Sequence, residues 1–591
     1  VKRALLTRKE RVRRAAARPI IAYDLETTRI AKGTPRPLFI TAYGEAPALR
    51  LAQRVRSLES LRDILIDRFL IDDFKGVRFV AWNANHFDAY FVAAAMLLAD
   101  GYVIRPYLTK GKNLRGLRIV RAEEQDERGQ GWEFLDGIAM TGLQGVSLRK
   151  FLATFAPDHQ KLAGPDFERE EFDPANGAHV RYALQDSIGL WHGITRAQAI
   201  LLDRFNQPLT ATIGNACIKI FTAHLPHGIE LHGPNAELDA VIRDHVMRGG
   251  YCFCKGKYAG PVWKYDLNQA YAAAMRDAAL PCGEPAWHAE GAPPMRVKVW
   301  VGRVFGVNPE NRVPVYHKQR VGSRVLAVFS MDRLDNVWLT ASEIEQLVSE
   351  GWFIHVAESW SWADAFNMRE FVNELEAMRA TCEGGPKGAI GTMIKAVGNH
   401  SYGKTVERPT AIELLLSREK PEGFAPYETP LEGIDLGHLW YRENEVIAKG
   451  HQQPQIGAFI TAHVRMVIRR AALLDPAAWL YADTDCVVFS RDMTRRLDVD
   501  DFRYGAFKIE EKGTPYRIIA KKVYASEAGD VAHAKGLNVK KLKPDDFARW
   551  YAGDVPVQEQ IQRQNFVKVM GGLDMFIERV RRGTRDEVGL A

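Results

Sequence analysis

Apolar runs that stop at carboxylates recur along this chain, and they constrain its fold more than any other feature. The segment PIIAYDLETT reads as a buried strand that ends in Asp24, Glu26 and hydroxyl residues. VRFVAWNANHFDAYFV, from Val77, begins as a second such strand and delivers Asp88. VWKYDLNQAY sets Asp266 at the end of a third. In WLYADTDCVVF two strand-like runs flank Asp483 and Asp485, so D-T-D marks a tight turn between hairpin strands.

Around these runs, strands alternate with helices up to about residue 200, which predicts an α/β domain. DAYFVAAAMLLADG predicts a helix closing at Gly101, and a long helix is expected over His179–Leu202. Residues 276–368 are rich in Pro, Gly and Trp, with strands expected at VKVWVGRVFGV and SRVLAVFS. From Met368 the pattern is helical, breaks at CEGGPKG and resumes to Tyr402. Residues 405–440 read as an inserted hairpin-like segment, and the chain after Pro544 as helical and basic.

The length of 591 residues allows about three or four domains at roughly 150 residues each. With 46% hydrophobic and 26% charged residues the composition is globular, which excludes a collagenous or wholly disordered chain. No run of about 18 apolar residues predicts a membrane span. Six cysteines are too few for a disulfide scaffold of this size, and Cys252-x-Cys254 reads as strand residues, not a zinc site. A reducing cytosol fits. The net charge of +7 suits a polyanionic partner without demanding one. The arm at 1–18 is Arg-, Lys- and Ala-rich and lacks the apolar core of a secretory signal; it reads as a nucleic-acid-touching arm or as a solvated tail.

The acids form two sets. On a strand, residues i and i+2 share a face, so Asp24 and Glu26 can share one cation. Asp186 follows Tyr182 by one helical turn, on the same face. Together with Asp88 these carboxylates could hold two divalent metals, which at about 3.5–4 Å apart activate water and stabilise the leaving oxygen of a phosphodiester. Acids this close would otherwise repel one another. Each acid alone reads as a surface cap; the ordered set D-x-E, N-x-x-x-F-D, Y-x-x-x-D points to a metal nuclease. The second set, Asp266 with Asp483 and Asp485, suggests nucleotidyl transfer, a 3′-hydroxyl attacking an α-phosphate. In KAVGNHSYGK, Lys395, Asn399 and Tyr402 fall on one helix face, where a cation and an amide could meet a triphosphate.

At this point the motifs resemble those of family B DNA polymerases with a proofreading exonuclease. YDLETT, WNANHFD and YALQD are similar to that family's three exonuclease motifs; DLNQAY, KAVGNHSYG and YADTD are similar to its polymerase motifs A, B and C, in the family's order. The resemblance runs from about Ile20 to Tyr524. It is nearest to the protein-primed bacteriophage subgroup, through Thr27 in DLETT, the M-R-G-G-Y segment at Met247–Tyr251, and the room for insertions between Asp266 and Lys395 and between Gly403 and Asp483.

The resemblance implies an α/β plus α+β multidomain fold: an RNase H-like 3′–5′ exonuclease domain followed by a right-hand polymerase of palm, fingers and thumb with two insertions. The expected divisions are a basic arm at 1–18, exonuclease at 19–202, palm at 203–275 and 441–535, a terminal-protein-region-like insertion at 276–368, fingers at 369–404, a second insertion for processivity and strand displacement at 405–440, and a thumb at 536–591. It implies Mg2+ or Mn2+, two per active site, and dNTP substrates. The implied partners are primer-template DNA, single-stranded 3′ ends and a terminal protein primer, for a monomer in the cytoplasm of a bacterial host.

Carried over onto this chain, Asp24, Glu26, Asp88 and Asp186 would bind the exonuclease metals, Tyr182 would orient the attacking water, and Lys161 resembles the subgroup's exonuclease lysine. Thr27, Asn83 or Asn85, Phe87, Ser147 and Leu148 would hold the frayed 3′ end. Asp266 and Asp485 would hold the polymerase metals with Asp483 close by and the Leu267 carbonyl completing the set. Tyr271 would stack under the incoming sugar; Arg379, Lys395 and Asn399 would face the nucleotide; Tyr402 would pack on the nascent base pair. Gly249 and Gly250 and the K-V-Y residues Lys522 and Tyr524 would touch DNA. The chain departs from the family pattern at Gln269, Ala270 and Ala272 of motif A, at His400 and Cys486, and at Met247. The alternatives are a related polymerase that uses an ordinary primer or starts chains without a terminal protein, and a nuclease or DNA-binding protein with a decayed polymerase half.

Overall fold

The computed structural model describes residues 18–28, 35–108, 114–124, 131–163, 171–321, 324–409, 412–428, 435–445, 449–535, 539 and 542–554. All of the basic arm but Arg18 lies outside them, as do NFVKVM and ERVRRGTR; the expected thumb is represented by 539 and 542–554.

The strand Ile20–Thr27 is covered on both sides, which explains its unbroken apolar start. Ile21, Tyr23 and Leu25 pack with Leu61, Leu65 and Phe91, while Ile20 and Ala22 pack with Leu152, Leu190 and Ile194. Asp24 and Glu26 continue the Ile20–Ala22 series and so sit on the face toward the helix Gly177–Phe205. This strand runs parallel to Arg78–Ala81, which runs parallel to Trp132–Asp136. The acids gather at the C-terminal ends of these parallel strands, where open α/β sheets place their ligands. On one side the sheet continues through Pro37–Glu45 to Ala48–Arg54, and on the other through Leu114–Arg121 to Tyr102–Leu108, all antiparallel.

The long helix spans Gly177–Phe205, capped by the Asn176 side chain and closed by left-handed Asn206, so it exceeds the expected His179–Leu202 at both ends. The helix expected to close at Gly101 instead ends at Met96. Tight turns follow, through Leu98 N–H to Ala95 and Ala99 N–H to Met96, and left-handed Gly101 starts the next strand.

The segment 405–440 does not stand as a hairpin of its own. Ile412–Leu416, Ala425–Glu428 and Asp435–Glu443 extend the first sheet to ten strands by pairing Leu416 with Ile104. The physical reason is the run Leu414-Leu415-Leu416, which needs cover on both faces. Leu415 is buried with Val103, Val120 and Phe424, and Leu416 joins the core beneath Phe91.

A second, antiparallel sheet has seven strands: Ala532–Ala534, Val523–Ser526, Phe507–Ala520, Tyr258–Leu267, Cys486–Phe489, Trp479–Thr484 and Tyr251–Cys254. Cys252 and Cys254 are strand residues, and all six cysteines are free. Residues 276–368 form a four-stranded sheet of Leu280–His288, Phe353–Phe366, Trp300–Val307 and Arg333–Thr340, a hairpin, and the helix Ala341–Ser349. That helix and its C-cap Glu350 are bolted by ion pairs to Arg248 and to the helix Pro454–Leu474. Glu343 accepts from Arg248 at 2.5 Å and from Arg465 at 2.9 Å, and Glu350 from Arg469 at 2.6 Å. The helices Arg369–Thr381 and Ala389–Thr405 flank the C-E-G-G-P-K-G break. Among the described residues no helix is long and apolar enough to cross a membrane.

Candidate functional site

Two acid clusters arise, one on each large sheet. In the first, Asp24 and Glu26 come from the strand Ile20–Thr27, Asp88 from the start of the helix Asp88–Met96, and Asp186 from the helix Gly177–Phe205. Asp88 and Asp186 are buried. Asp88 is fixed by the Leu25 N–H at 3.1 Å, which ties it to the strand between Asp24 and Glu26.

These acids act on one another. Burial, then Glu26 and Asp186, push the Asp24 carboxyl well up, against Lys161. Burial and Asp186 push Glu26 up to about 7. Burial and Asp24 raise Asp88, and burial raises Asp186 although Lys161 opposes it. Lys161 is the counter-charge. Its ammonium pairs with Asp186 Oδ2 and lies 4.7 Å above the Tyr182 ring. Burial works against that ammonium, but Asp186 prevails and holds it above its ordinary value.

A further acid, Asp136, escaped the sequence reading. It is spent as a cap, accepting from the N–H groups of Ile138 at 2.6 Å and Ala139 at 3.2 Å, and from Asn85 N–H at 2.9 Å. Its signal was the strand end WEFLD.

The residues expected to hold a DNA end lie around this cluster in different ways. Thr27 ends the acid-bearing strand, and its hydroxyl donates to the Thr28 carbonyl. Asn83 is exposed in a left-handed conformation, whereas the Asn85 Oδ1 is buried with no hydrogen-bond partner. Phe87 is half-buried, edge-on to Phe91 at 5.2 Å. Ser147 caps the helix Leu148–Phe155, its Oγ accepting from Lys150 N–H at 3.4 Å, and Leu148 is that helix's first residue.

In the second cluster, cross-strand register brings distant segments together. Asp266 lies opposite Cys486, the residue after Asp485. Leu267 is buried, and its N–H donates to the Asp485 carbonyl at 2.7 Å. The D-T-D turn is real: Asp483 pairs with Cys486 across it, and Thr484 at its tip is left-handed. Gly250 packs directly on that tip. A Cβ there would stand 2.6 Å from both Thr484 Cα and Cγ2, so the position admits only glycine. Gly249 beside it is exposed, its carbonyl accepting from Arg465 at 3.4 Å.

The three aspartates differ. Asp483 is claimed by Lys522, whose Nζ stands 2.7 and 2.9 Å from its two oxygens, and by the Tyr481 hydroxyl at 3.2 Å. Burial opposes its charge, but Lys522 holds its carboxyl below the ordinary range. Asp266 pairs with Lys508 at 3.0 Å, and burial and Glu510 still raise it. Burial, then Asp266, push Asp485 up to about 6 against the field of Lys395. Tyr524 stacks on His533 and meets Tyr481 edge-on, beside Lys522.

Above the aspartates, Tyr271 stacks on Tyr402, with ring centroids 4.5 Å apart. Lys395 is exposed and Asn399 half-exposed on the helix that carries Tyr402. Arg379 is turned aside, donating to the Pro386 carbonyl at 3.3 Å across the helix break. Gln269, one of the departures from motif A, is left-handed at the start of the helix Ala270–Asp277, with a buried amide oxygen that has no partner. Lys508, Glu510 and Lys264 are the polar residues that the sequence reading missed. Their only sequence signal is alternating charge on strand-like runs.

Both clusters suit divalent cations by donor chemistry. Hard carboxylate oxygens predominate, and in the first the Asp186 Oδ1 is buried with no partner. Among the described residues no three acids, histidines or cysteines have closed into a ligand set.

Residues 190–429 match the family model of DNA polymerase type B, organellar and viral. The DNA-directed DNA polymerase of Enterobacteria phage PRD1 is 24% identical over 343 residues, 56% of this chain. The chain spans 59% of the length of that curated relative. Solved structures of Phi29 DNA polymerase share its fold at 16% identity. The orthorhombic form matches with a TM-score of 0.67 and the ternary complex with primer-template DNA and incoming nucleotide with 0.68, each over 90% of this chain and 95% of that one. The complex with single-stranded DNA matches at 0.63, over 90% and 94%. The chain thus has the multidomain α/β fold of a bacteriophage DNA polymerase, and its resemblance to the phage family B DNA polymerases rests on sequence in its middle and on fold over nine-tenths of its length.

Proposed function

We propose that this chain is a DNA-directed DNA polymerase with a 3′–5′ proofreading exonuclease, working in the cytoplasm of a bacterial host on primer-template DNA and frayed single-stranded ends. The observation that carries this reading is the convergence from distant segments of Asp266, near the end of one strand, and Asp485, in the turn that opens the neighbouring strand, beneath the helix that bears Lys395 and Asn399. Asp266 and Asp485 would hold Mg2+ or Mn2+, with the Leu267 carbonyl nearby. When bound, such cations lower the barrier by stabilising the attacking and leaving oxygens of an in-line displacement. Lys395 supplies a point charge for the triphosphate and Asn399 an amide. The flat Tyr271–Tyr402 pair is a floor against which an incoming sugar and base would stack. Asp483 acts through Lys522, holding its ammonium beside the primer path.

In the first cluster Asp24, Glu26, Asp88 and Asp186 would hold the cations for trimming. Tyr182 and Lys161 would orient the attacking water, Lys161 being tied down by Asp186. The exposed Asn83 and the half-buried Phe87 would grip an unstacked strand. Domain roles follow the same reading: residues 276–368 would meet a protein primer, and residues 405–440, whose strands join the first sheet, would border template and product for strand displacement.

The test is primer extension and degradation by purified protein with magnesium, with and without dNTPs. The expected result is a nucleotide-dependent switch from net trimming to net synthesis. Incorporation that survives Asp485→Ala unchanged would refute the assignment. Adding a candidate terminal protein in place of a primer decides how chains start.

A further inference from the structure

The second cluster carries a row of alternating charges in which Asp266 is joined by Lys508, Glu510 and Lys264, three residues to which the proposed chemistry gives no role. Lys508 lies opposite Asp266 in the register of the strands Phe507–Ala520 and Tyr258–Leu267. Its Nζ stands 3.0 Å from Asp266 Oδ2 and equally 3.0 Å from Glu510 Oε1. Glu510 in turn accepts from Lys264 at 2.8 Å. The row therefore reads Asp266, Lys508, Glu510, Lys264, with one ammonium held between two carboxylates. The Lys508 side chain is 36% exposed and has a flexible four-carbon stem, so it can shift between its two partners without disturbing the core.

We infer that Lys508 is a resident counter-ion that masks Asp266, and that Glu510 is the seat to which its ammonium withdraws when a divalent cation takes Asp266. This rests on the proposed reading of Asp266 and Asp485 as cation-binding acids. The physical argument is competition for one carboxylate. An ammonium and a divalent cation cannot both hold Asp266 Oδ2 at contact distance without repelling each other. Release into water would strand Glu510 with Lys264 as its sole partner in the row. Withdrawal onto Glu510 keeps every charge in the row paired, because Lys508 already touches it. Lys508 is thus a positioning residue that sets the cation concentration at which the cluster loads, and Glu510 sets how readily Lys508 yields.

The test measures cation binding, not turnover. Full-length protein carrying Asp24→Ala and Asp88→Ala, which removes two acids of the first cluster, is titrated with Mn2+ without DNA or nucleotide, and free Mn2+ is followed by electron paramagnetic resonance. Lys508→Met should tighten Mn2+ binding by about three- to tenfold, the scale of a partly exposed ion pair. Glu510→Gln should weaken it by a similar factor. In the Lys508→Met background, Glu510→Gln should have little further effect, because Glu510 acts through Lys508. Lys508→Gln is the second variant should the methionine fail to fold. Unchanged affinity in a folded Lys508 variant overturns the masking role. A Glu510→Gln effect that persists without Lys508 overturns the withdrawal seat. If Asp266→Ala with Asp485→Ala binds Mn2+ as the parent does, the cation-site reading fails, an outcome separate from the other two.

Discussion

The two acid clusters solve one electrostatic problem in opposite ways. In the first, four carboxylates come from a strand and two helices; burial raises all four, neighbouring acids add to this at Asp24, Glu26 and Asp88, and Lys161 opposes it at Asp24, Glu26 and Asp186. In the second, Asp266 has Lys508 and Asp483 has Lys522, while Asp485 lies in the field of Lys395. The first holds more acids than counter-charges, and its raised carboxyls must take up a proton or a cation to be relieved of one another. The second is near balance on its own. The teaching is that two carboxylate clusters in one chain can start from different charge states, one short of counter-charge and the other near balance.

The comparison is broken most sharply by removing one acid from each cluster. Asp485→Asn should lower primer extension by about 10³-fold, the scale of losing one preorganised transition-state contact, and leave degradation of single strands intact. Asp24→Asn should do the reverse. A variant that lost both activities while remaining folded would show the clusters to be one unit.

Next in size is the bolt that joins the helix Ala341–Ser349 to Arg248 and to the helix Pro454–Leu474. Glu343→Ala would leave Arg248 and Arg465 charged and buried, which costs about 3–5 kcal/mol in urea unfolding. Burial opposes the Glu343 charge, but Arg248 and Arg465 hold its carboxyl below the ordinary value. Its contribution is therefore complete above about pH 4.5 and lost as the pH falls through the lower folded value. Unfolding curves measured downward from pH 6 should show a steeper acid loss in the parent than in the variant.

Gly250→Ala should cost about 1–3 kcal/mol, as over-packing does, and should impair extension more than degradation, since it pushes on Thr484 between the two aspartates. The smallest effect sharpens the first site. Ser147→Ala should remove a helix cap worth about 1 kcal/mol. If it also leaves single-strand affinity unchanged, Ser147 serves the fold and not the DNA.

What was legible in the sequence follows from range. Asp24 and Glu26 were readable because strand periodicity is local, and Tyr182 with Asp186 because one helical turn is local. Tyr402 over Tyr271 needed two distant helices to meet. Lys508 was invisible for the same reason: its meaning comes from standing opposite Asp266 in a register that no local pattern fixes. The Asp136 cap was hidden because a strand-end acid looks alike whether it holds an ion or three N–H groups. Residues 405–440 read as a hairpin-like segment because nothing in their own sequence names Ile104 as a neighbour.

That last pairing sets an order on the birth of the molecule. The first sheet takes its outer strands from a segment that leaves the ribosome more than two hundred residues after the long helix is made. Until then Tyr102–Leu108 is a bare edge with Val103 uncovered, a template for sticking to another nascent copy. The sheet that carries the first cluster is thus sealed only after the chain has been made as far as Ile412, and a truncated copy ending before that residue would emerge with that edge open.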